Sequence, residues 1–169
     1  GSGGVVKNLG VSGEVTGSSI IGGVVGENSG TVTNCYNTAE VSGTQSVCTS
    51  IGGVVGDNFG SGSSVTNCYN TAAVSGDYYV GGVVGSNNNG SITNCYWVDV
   101  ADDNATAGLG YDTEDITEKT TKKTAAEMQA EDFAKLLNTN AKEITGACAW
   151  VDNSSTSGYP TLDFGVAAE

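Results

Sequence analysis

Before residue 100 the apolar positions fall in short β-branched groups. Val24-Val25, Val32 and Val41 form one set, Val55, Val65 and Val74 a second, and Val83-Val84 with Ile92 a third. Such side chains suit a pleated, half-buried surface. The residues between them are mainly Gly, Ser, Thr and Asn, so segments of strand length alternate with turn-forming connections. A helical reading fails because 23 of the 26 glycines precede residue 111, and each would cost about 1 kcal/mol relative to alanine inside a helix.

The groups belong to a longer repeat. A Gly-Gly-Val-Val-Gly run begins at Gly22 and Gly52, and again at Gly81, and a Thr-Asn-Cys-Tyr segment follows each time, at Thr33 to Tyr36, Thr66 to Tyr69 and Thr93 to Tyr96. Val32 to Gly43 matches Val65 to Gly76 except that Ala73 replaces Glu40, and Val6 to Gly17 fits the same frame as a partial first copy. In that frame Asn8 lies under Asn34, Leu9 under Cys35 and Val15 under Val41. A unit of roughly 30 residues, too small for a core of its own, is stabilised by stacking on the next. Length changes only in the connections, Glu27 to Thr31, Asp57 to Ser64 and Ser86 to Ser91 on one side, Thr44 to Ile51 and Asp77 to Val80 on the other. The pattern predicts an all-β solenoid of parallel, β-helix-like coils, right-handed by the usual crossover preference, with rungs about 4.8 Å apart. Glycine at fixed corners would permit the sharp bends.

The repeat positions assign structural files. Cys35, Cys68 and Cys95 share a position that Leu9 fills in the first copy, which predicts an inward ladder of reduced thiols acting as small hydrophobes. Asn8, Asn34, Asn67 and Asn94 share another, which predicts a ladder of side-chain amides bonded along the axis. Tyr36, Tyr69 and Tyr96, with Gly10 in the first copy, form a third file. Facing outward it would be an aromatic strip for sugar rings, and facing inward it would be packing, which is the favoured reading.

The texture changes near residue 100, dividing the chain into a solenoid over residues 1–101 and a small α-containing C-terminal cap over 102–169. Thr124 and Glu127 have capping-box spacing, and Ala126, Ala130, Phe133 and Leu137 make one apolar helical stripe; alternatively Asp132 caps a second short helix through Asn138. The stripe, with Trp97, Trp150, Tyr159-Pro160 and Leu162, is expected to cover the open end of the last coil.

Charge divides the same way. Only five acids and one lysine, Lys7, precede Asp99, and the other fourteen acids and five lysines follow, within a net charge of −13 and with no arginine. This argues against nucleic acid or an anionic membrane as partner. No apolar run approaches the ~20 residues needed to cross a bilayer, and no signal pattern is visible, which says nothing about secretion. An isolated chain of this kind is expected to be monomeric.

The absence of histidine removes Ser-His-Asp and Cys-His mechanisms and the usual zinc sites, so no catalytic residue and no metal ligand set is assigned. Glu27 and Asp57 are the best-placed carboxylate pair, but the third copy has Ser86 there. A solvated acidic loop at Asp99, Asp102, Asp103 and Asn104, continued by Asp112, Glu114 and Asp115, leaves calcium open as the one cofactor, without matching a known calcium-loop spacing. Cys48 and Cys148 lie outside the ladder and could pair. Exposed aromatics for a glycan would be the Tyr36, Tyr69 and Tyr96 file together with Phe59, Tyr78 and Tyr79.

The phrases Gly22 to Gly26 and Asn34-Cys35-Tyr36-Asn37, followed by Val41-Ser42-Gly43, resemble the GLUG-motif repeats of bacterial surface proteins over about Gly4 to Val100, with Val-Val where the motif's name implies leucine. The tail, with Met128, Leu136-Leu137-Asn138, Trp150 and Tyr159-Pro160, resembles the region that follows the last repeat in such proteins. The resemblance implies a secreted or wall-attached bacterial adhesin. Repeats of this kind also occur beside peptidases that cleave immunoglobulin A, but this chain has no His-Glu-x-x-His motif to carry that activity. The expectation is a non-enzymatic extracellular module, adhesive or spacer, whose partner is a host glycan or extracellular-matrix protein. A carbohydrate-active solenoid is the alternative, resting on fold analogy alone, and an ice-binding face on Thr33, Thr66 and Thr93 is a third reading limited by the short file.

Overall fold

The computed structural model describes residues 3–44, 50–98, 100, 105, 107–113 and 120–168. The chain winds into a stack of β-coils, each passing through up to five short strands. In the second coil these are Thr31–Thr33, Tyr36–Asn37, Glu40–Gly43, Ser50–Gly52 and Val55–Phe59. Equivalent strands of successive coils pair in parallel and build five sheets along the axis. The register is the one the repeat implies: Val6, Val32, Val65 and Ile92 are direct neighbours. The all-β solenoid with a small α-containing C-terminal part is the fold of this chain.

Two cores run along the axis. Val32, Cys35, Val55, Val65, Cys68, Val84 and Cys95 belong to the larger, and Ile21, Val41, Ile51 and Val74 to the smaller. The Gly-Gly steps have ordinary φ, which corrects the expectation that they supply bends. Their role is space: a Cβ on Gly52 would lie 1.9 Å from the Val55 carbonyl oxygen. The bend is made by asparagine instead. Asn8, Asn34, Asn67 and Asn94 all have positive φ, between 51° and 56°, a left-handed conformation that Asn tolerates better than most side chains.

Cys35, Cys68 and Cys95 are fully buried and stacked in register. The neighbouring Cys68 thiol holds Cys35 below its ordinary value, while burial, with both flanking thiols, pushes Cys68 well above. Leu9 departs from expectation. It keeps the frame, its carbonyl accepting the Tyr36 N–H at 2.9 Å, yet it is 40% exposed because no described coil covers the first one. Thiol labelling of the native protein is expected to leave Cys35, Cys68 and Cys95 unmodified until denaturant is added. Mass-spectrometric mapping of fast native modification to those three sites would refute the buried ladder. Of the expected Cys48–Cys148 pair, Cys148 is a half-buried free thiol and Cys48 lies outside the described residues.

The amide ladder is shorter than its repeat position. Asn34 Nδ2 donates to Asn8 Oδ1 at 2.8 Å and Asn67 Nδ2 to Asn34 Oδ1 at 2.9 Å. Asn94 does not join: its side chain is exposed, where solvent competes for the amide, and Asn67 Oδ1 is left without a partner. A longer ladder lies where variable connections were expected. Asn28 Nδ2 donates to Asn58 Oδ1, Asn58 Nδ2 to Asn87 Oδ1, both at 2.8 Å, and Asn87 Nδ2 to Asp112 Oδ1 at 3.3 Å. A carboxylate suits that last place, since it accepts without needing a further acceptor. Asn37 donates likewise to Asn70 at 2.9 Å.

The division at residue 101 also moves. Leu109–Asp112 and Thr120–Lys123 add parallel strands to the stack, on Val84–Asn88 and Cys95–Val98, so the coils continue to Lys123. Beyond it come α1 (Ala125–Met128), with the expected Thr124–Glu127 capping box, and α2 (Glu131–Ala141), capped at Ala130 rather than Asp132. The single stripe is therefore broken: Phe133 and Leu137 are buried with Met128, while Ala126 and Ala130 are exposed. An antiparallel pair, Cys148–Val151 with Thr161–Ala167, completes the tail.

This tail does not plug the open end. It lies along the flank and runs back to the first coil, as a strap. Lys7 Nζ donates to the Thr145 carbonyl at 2.8 Å, Asn8 Nδ2 to the Gly146 carbonyl at 3.0 Å, and Asn34 Nδ2 to the Cys148 carbonyl at 3.0 Å. Asn67 Nδ2 reaches the Leu137 carbonyl at 3.1 Å. The flank offers both an apolar surface and a row of amides along the corner, so it satisfies the tail's buried polar groups as well as its stripe.

Candidate functional site

Two aromatic surfaces were candidates for ligand contact, and the structure separates them. Tyr36, Tyr69 and Tyr96 do project from the coils, but the strap covers them. Tyr36 and Tyr69 stack at 5.4 Å and 15°, Trp150 tilts against both, and Phe133 meets Tyr96 edge-on at 5.3 Å. Tyr69 is fully buried, donates its hydroxyl to the Pro160 carbonyl, and has its ionisation pushed well up by burial. The Tyr96 hydroxyl accepts from Asn140 Nδ2 at 3.1 Å. The file is packing, and the Tyr69 and Tyr96 hydroxyls are engaged by the tail.

Phe59, Tyr78 and Tyr79 remain exposed, joined by Tyr111, which sequence reasoning missed. The outer face of the sheet formed by Val25–Asn28, Val55–Phe59, Val84–Asn88 and Leu109–Asp112 organises most of them. Strand alternation buries Asn28, Asn58 and Asn87 and turns Glu27, Asp57 and Tyr111 to the outer face, while Ser86 in the same file is itself buried. Glu27, Asp57, Ser86 and Tyr111 therefore form one file in register, with Phe59 beside Asn88 in the next. Asn88 Nδ2 donates to Asp57 Oδ1 and to Ser86 Oγ, both at 2.9 Å, which fixes a polar row. Beside Phe59, a shallow depression is lined by Ser29, Gly60, Ser61, Gly62 and Ser63.

Tyr79 reaches this face from the adjoining corner. Its ring lies 4.8 Å from that of Tyr111, tilted by 39°. Its φ of 40° is unusual for an aromatic residue, and two contacts hold it. The Tyr79 carbonyl accepts the Ile51 N–H at 3.1 Å, and Gly110 passes so close beneath that a Cβ there would lie 2.3 Å from the Tyr79 carbonyl carbon. The signal for Tyr111 was its place in the Glu27, Asp57 and Ser86 file, hidden because the fourth coil has no Gly-Gly-Val-Val-Gly run.

The Glu27 and Asp57 carboxylates are neighbours on adjacent rungs, side by side on one sheet face. Such an arrangement accepts hydrogen bonds from a bound ligand; acid-base work on a glycosidic bond uses carboxylates that flank it. Of the acidic loop, Asp112 ends the Asn28 ladder, and Asp99, Asp102, Asp103, Asn104, Glu114 and Asp115 lie outside the described residues. Among the described residues no cluster of three or more Cys, Asp or Glu side chains could hold a metal ion, and no helix is long and apolar enough to cross a membrane.

With this geometry in view, the comparison with known families is specific. The GLUG motif matches residues 17–42 and 76–96. The chain carries GLUG-motif repeats. The matched segments start near the Ile20–Gly22 and Val80–Gly81 strands and pass through the left-handed Asn corners, so the GLUG repeat here is one coil of the solenoid. No curated protein and no solved structure matches the chain.

Proposed function

We propose that this GLUG-repeat chain is a non-enzymatic, extracellular module of a bacterial surface protein and that its role is adhesive display. The repeat motif, the uncharged polar coat of the coils and the exposed aromatic face support this reading. The observation that carries the adhesive reading over a spacer is the exposed aromatic face: Phe59, Tyr78, Tyr79 and Tyr111 stand in solvent on coils otherwise coated with uncharged polar residues.

The intact protein, applied to an array of glycans and extracellular-matrix proteins, is expected to bind at least one class, and antibody should label unpermeabilised producing cells. Labelling only after permeabilisation, with an empty array, would overturn the reading. The in-register Glu27–Asp57 pair favours one rival, a glycan-cleaving solenoid. Reducing ends or unsaturated sugars released from a polysaccharide panel, and lost in Glu27→Gln or Asp57→Asn, would replace adhesion by catalysis.

A further inference from the structure

We infer that the outer face bearing Phe59, Asp57, Asn88, Tyr79 and Tyr111 is a binding site for a neutral oligosaccharide laid along the stack. The inference rests on the reading of the chain as an adhesive module and specifies its site and ligand class.

Three features carry it. First, aromatic rings stand at both ends of a polar row. Phe59 and Tyr111 are two rungs and two strand positions apart, about 12 Å from a rung spacing of ~4.8 Å and a rise of ~3.3 Å per residue. That is the reach of a short oligosaccharide. The apolar C–H face of a pyranose suits a ring at each end, and its hydroxyls suit the acceptors between them.

Second, the site is held in place without a ligand. Asn88 is fixed by Asp57 and Ser86, and the Tyr79–Tyr111 pair by the Ile51 N–H and the close seat on Gly110. An aromatic residue kept at positive φ and left 46% exposed contributes little to a core. Such placement is understandable when the ring's position is itself required, because pre-organised side chains lose less freedom on binding.

Third, charge selects the class. Asp57 lies in the row and Glu27 on the rung just beyond it, with no described cation beside either, on a chain of net charge −13. Sulfated and uronic-acid glycans would be repelled, while the hydroxyls of a neutral sugar can donate to both carboxylates and to Asn88 Oδ1.

The test titrates the intact chain calorimetrically with gluco-, galacto-, manno- and N-acetylglucosamine oligomers, with a sulfated and a uronic-acid-rich glycan for comparison. A neutral oligomer is expected to bind and the charged ones not. Tyr111→Ala and Tyr79→Ala should each weaken binding by about tenfold, Asn88→Ala should weaken it too, and Tyr36→Phe beneath the strap should leave it unchanged. Should Tyr79→Ala disturb folding, Tyr111→Ala with unaltered circular dichroism carries the test alone. Undiminished binding in Tyr111→Ala, or preference for a charged glycan, would overturn the site. A chain that binds a matrix protein and no oligosaccharide would overturn the ligand class while leaving the adhesive role; one that binds nothing and is absent from the cell surface would overturn both.

Discussion

A chain ended after Lys123 is expected to lose its cooperative thermal transition and to self-associate. The strap buries Met128, Phe133, Leu137, Trp150 and Leu162 against Tyr69 and Tyr96. At roughly 1.5–3 kcal/mol for each large side chain taken out of water, the loss is on the order of 10 kcal/mol, comparable with the whole stability of a typical domain. The truncation would also uncover the Tyr36–Tyr69 stack and deprive Asn8, Asn34 and Asn67 of their strap partners. A milder version is Trp150→Ala, expected to cost about 3–5 kcal/mol. It removes the indole N–H that donates to Asn34 Oδ1 at 2.7 Å, but that oxygen still accepts from Asn67. Most of the cost is therefore the cavity beside Tyr36 and Tyr69. Sedimentation and calorimetry decide the matter: a monomeric truncation melting like the full chain would show the tail to be an appendage.

Repetition made the coils legible, because a position occupied by Val32, Val65 and Ile92 can be inward in one coil only if it is inward in all. The same logic found the Asn34 file but only half its meaning. Asparagine there bonds along the axis and also turns the backbone through the left-handed region, and either need alone would select it. The Asn28 ladder was equally available, since each Gly-Gly-Val-Val-Gly run is followed by one variable residue and then Asn28, Asn58 or Asn87. Unequal connection lengths downstream concealed it. Where repetition stops, legibility stops. The stripe of Phe133 and Leu137 announces that the tail needs a hydrophobic partner, but nothing local distinguishes the end of the stack from its flank. The choice is made by contacts more than one hundred residues apart in sequence, such as Trp150 with Asn34, |i−j| 116. The candidate site fell between these cases: Phe59, Tyr78 and Tyr79 were legible as exposed rings, while Tyr111 depends on a fourth strand that carries none of the repeat's phrases.

Gly53→Ala is expected to be strongly destabilising, because it adds a methyl group where one coil meets the next. A Cβ there would lie 2.2 Å from the Gly82 carbonyl oxygen in the next coil and 2.4 Å from Asn70 Nδ2. Neither neighbour can yield cheaply. The carbonyl belongs to the backbone that continues the stack, and the Asn70 amide donates to the Ala72 carbonyl at 2.8 Å while accepting from Asn37 at 2.9 Å. Overpacking of a close-packed interior commonly costs 1–3 kcal/mol; with rigid backbone on one side and a buried amide ladder on the other, about 3 kcal/mol or more is expected. For a chain of this length that lowers the melting temperature by roughly 10 °C. Gly62→Ala is the matched control. Nothing lies within 4 Å of its Cβ position and its φ is ordinary, so the substitution should be neutral or stabilise by about 0.4–1 kcal/mol through the unfolded chain. If the two variants melt together, the Gly-Gly steps are not sites of close backbone approach, and the packing of coil on coil described here is wrong at Gly53.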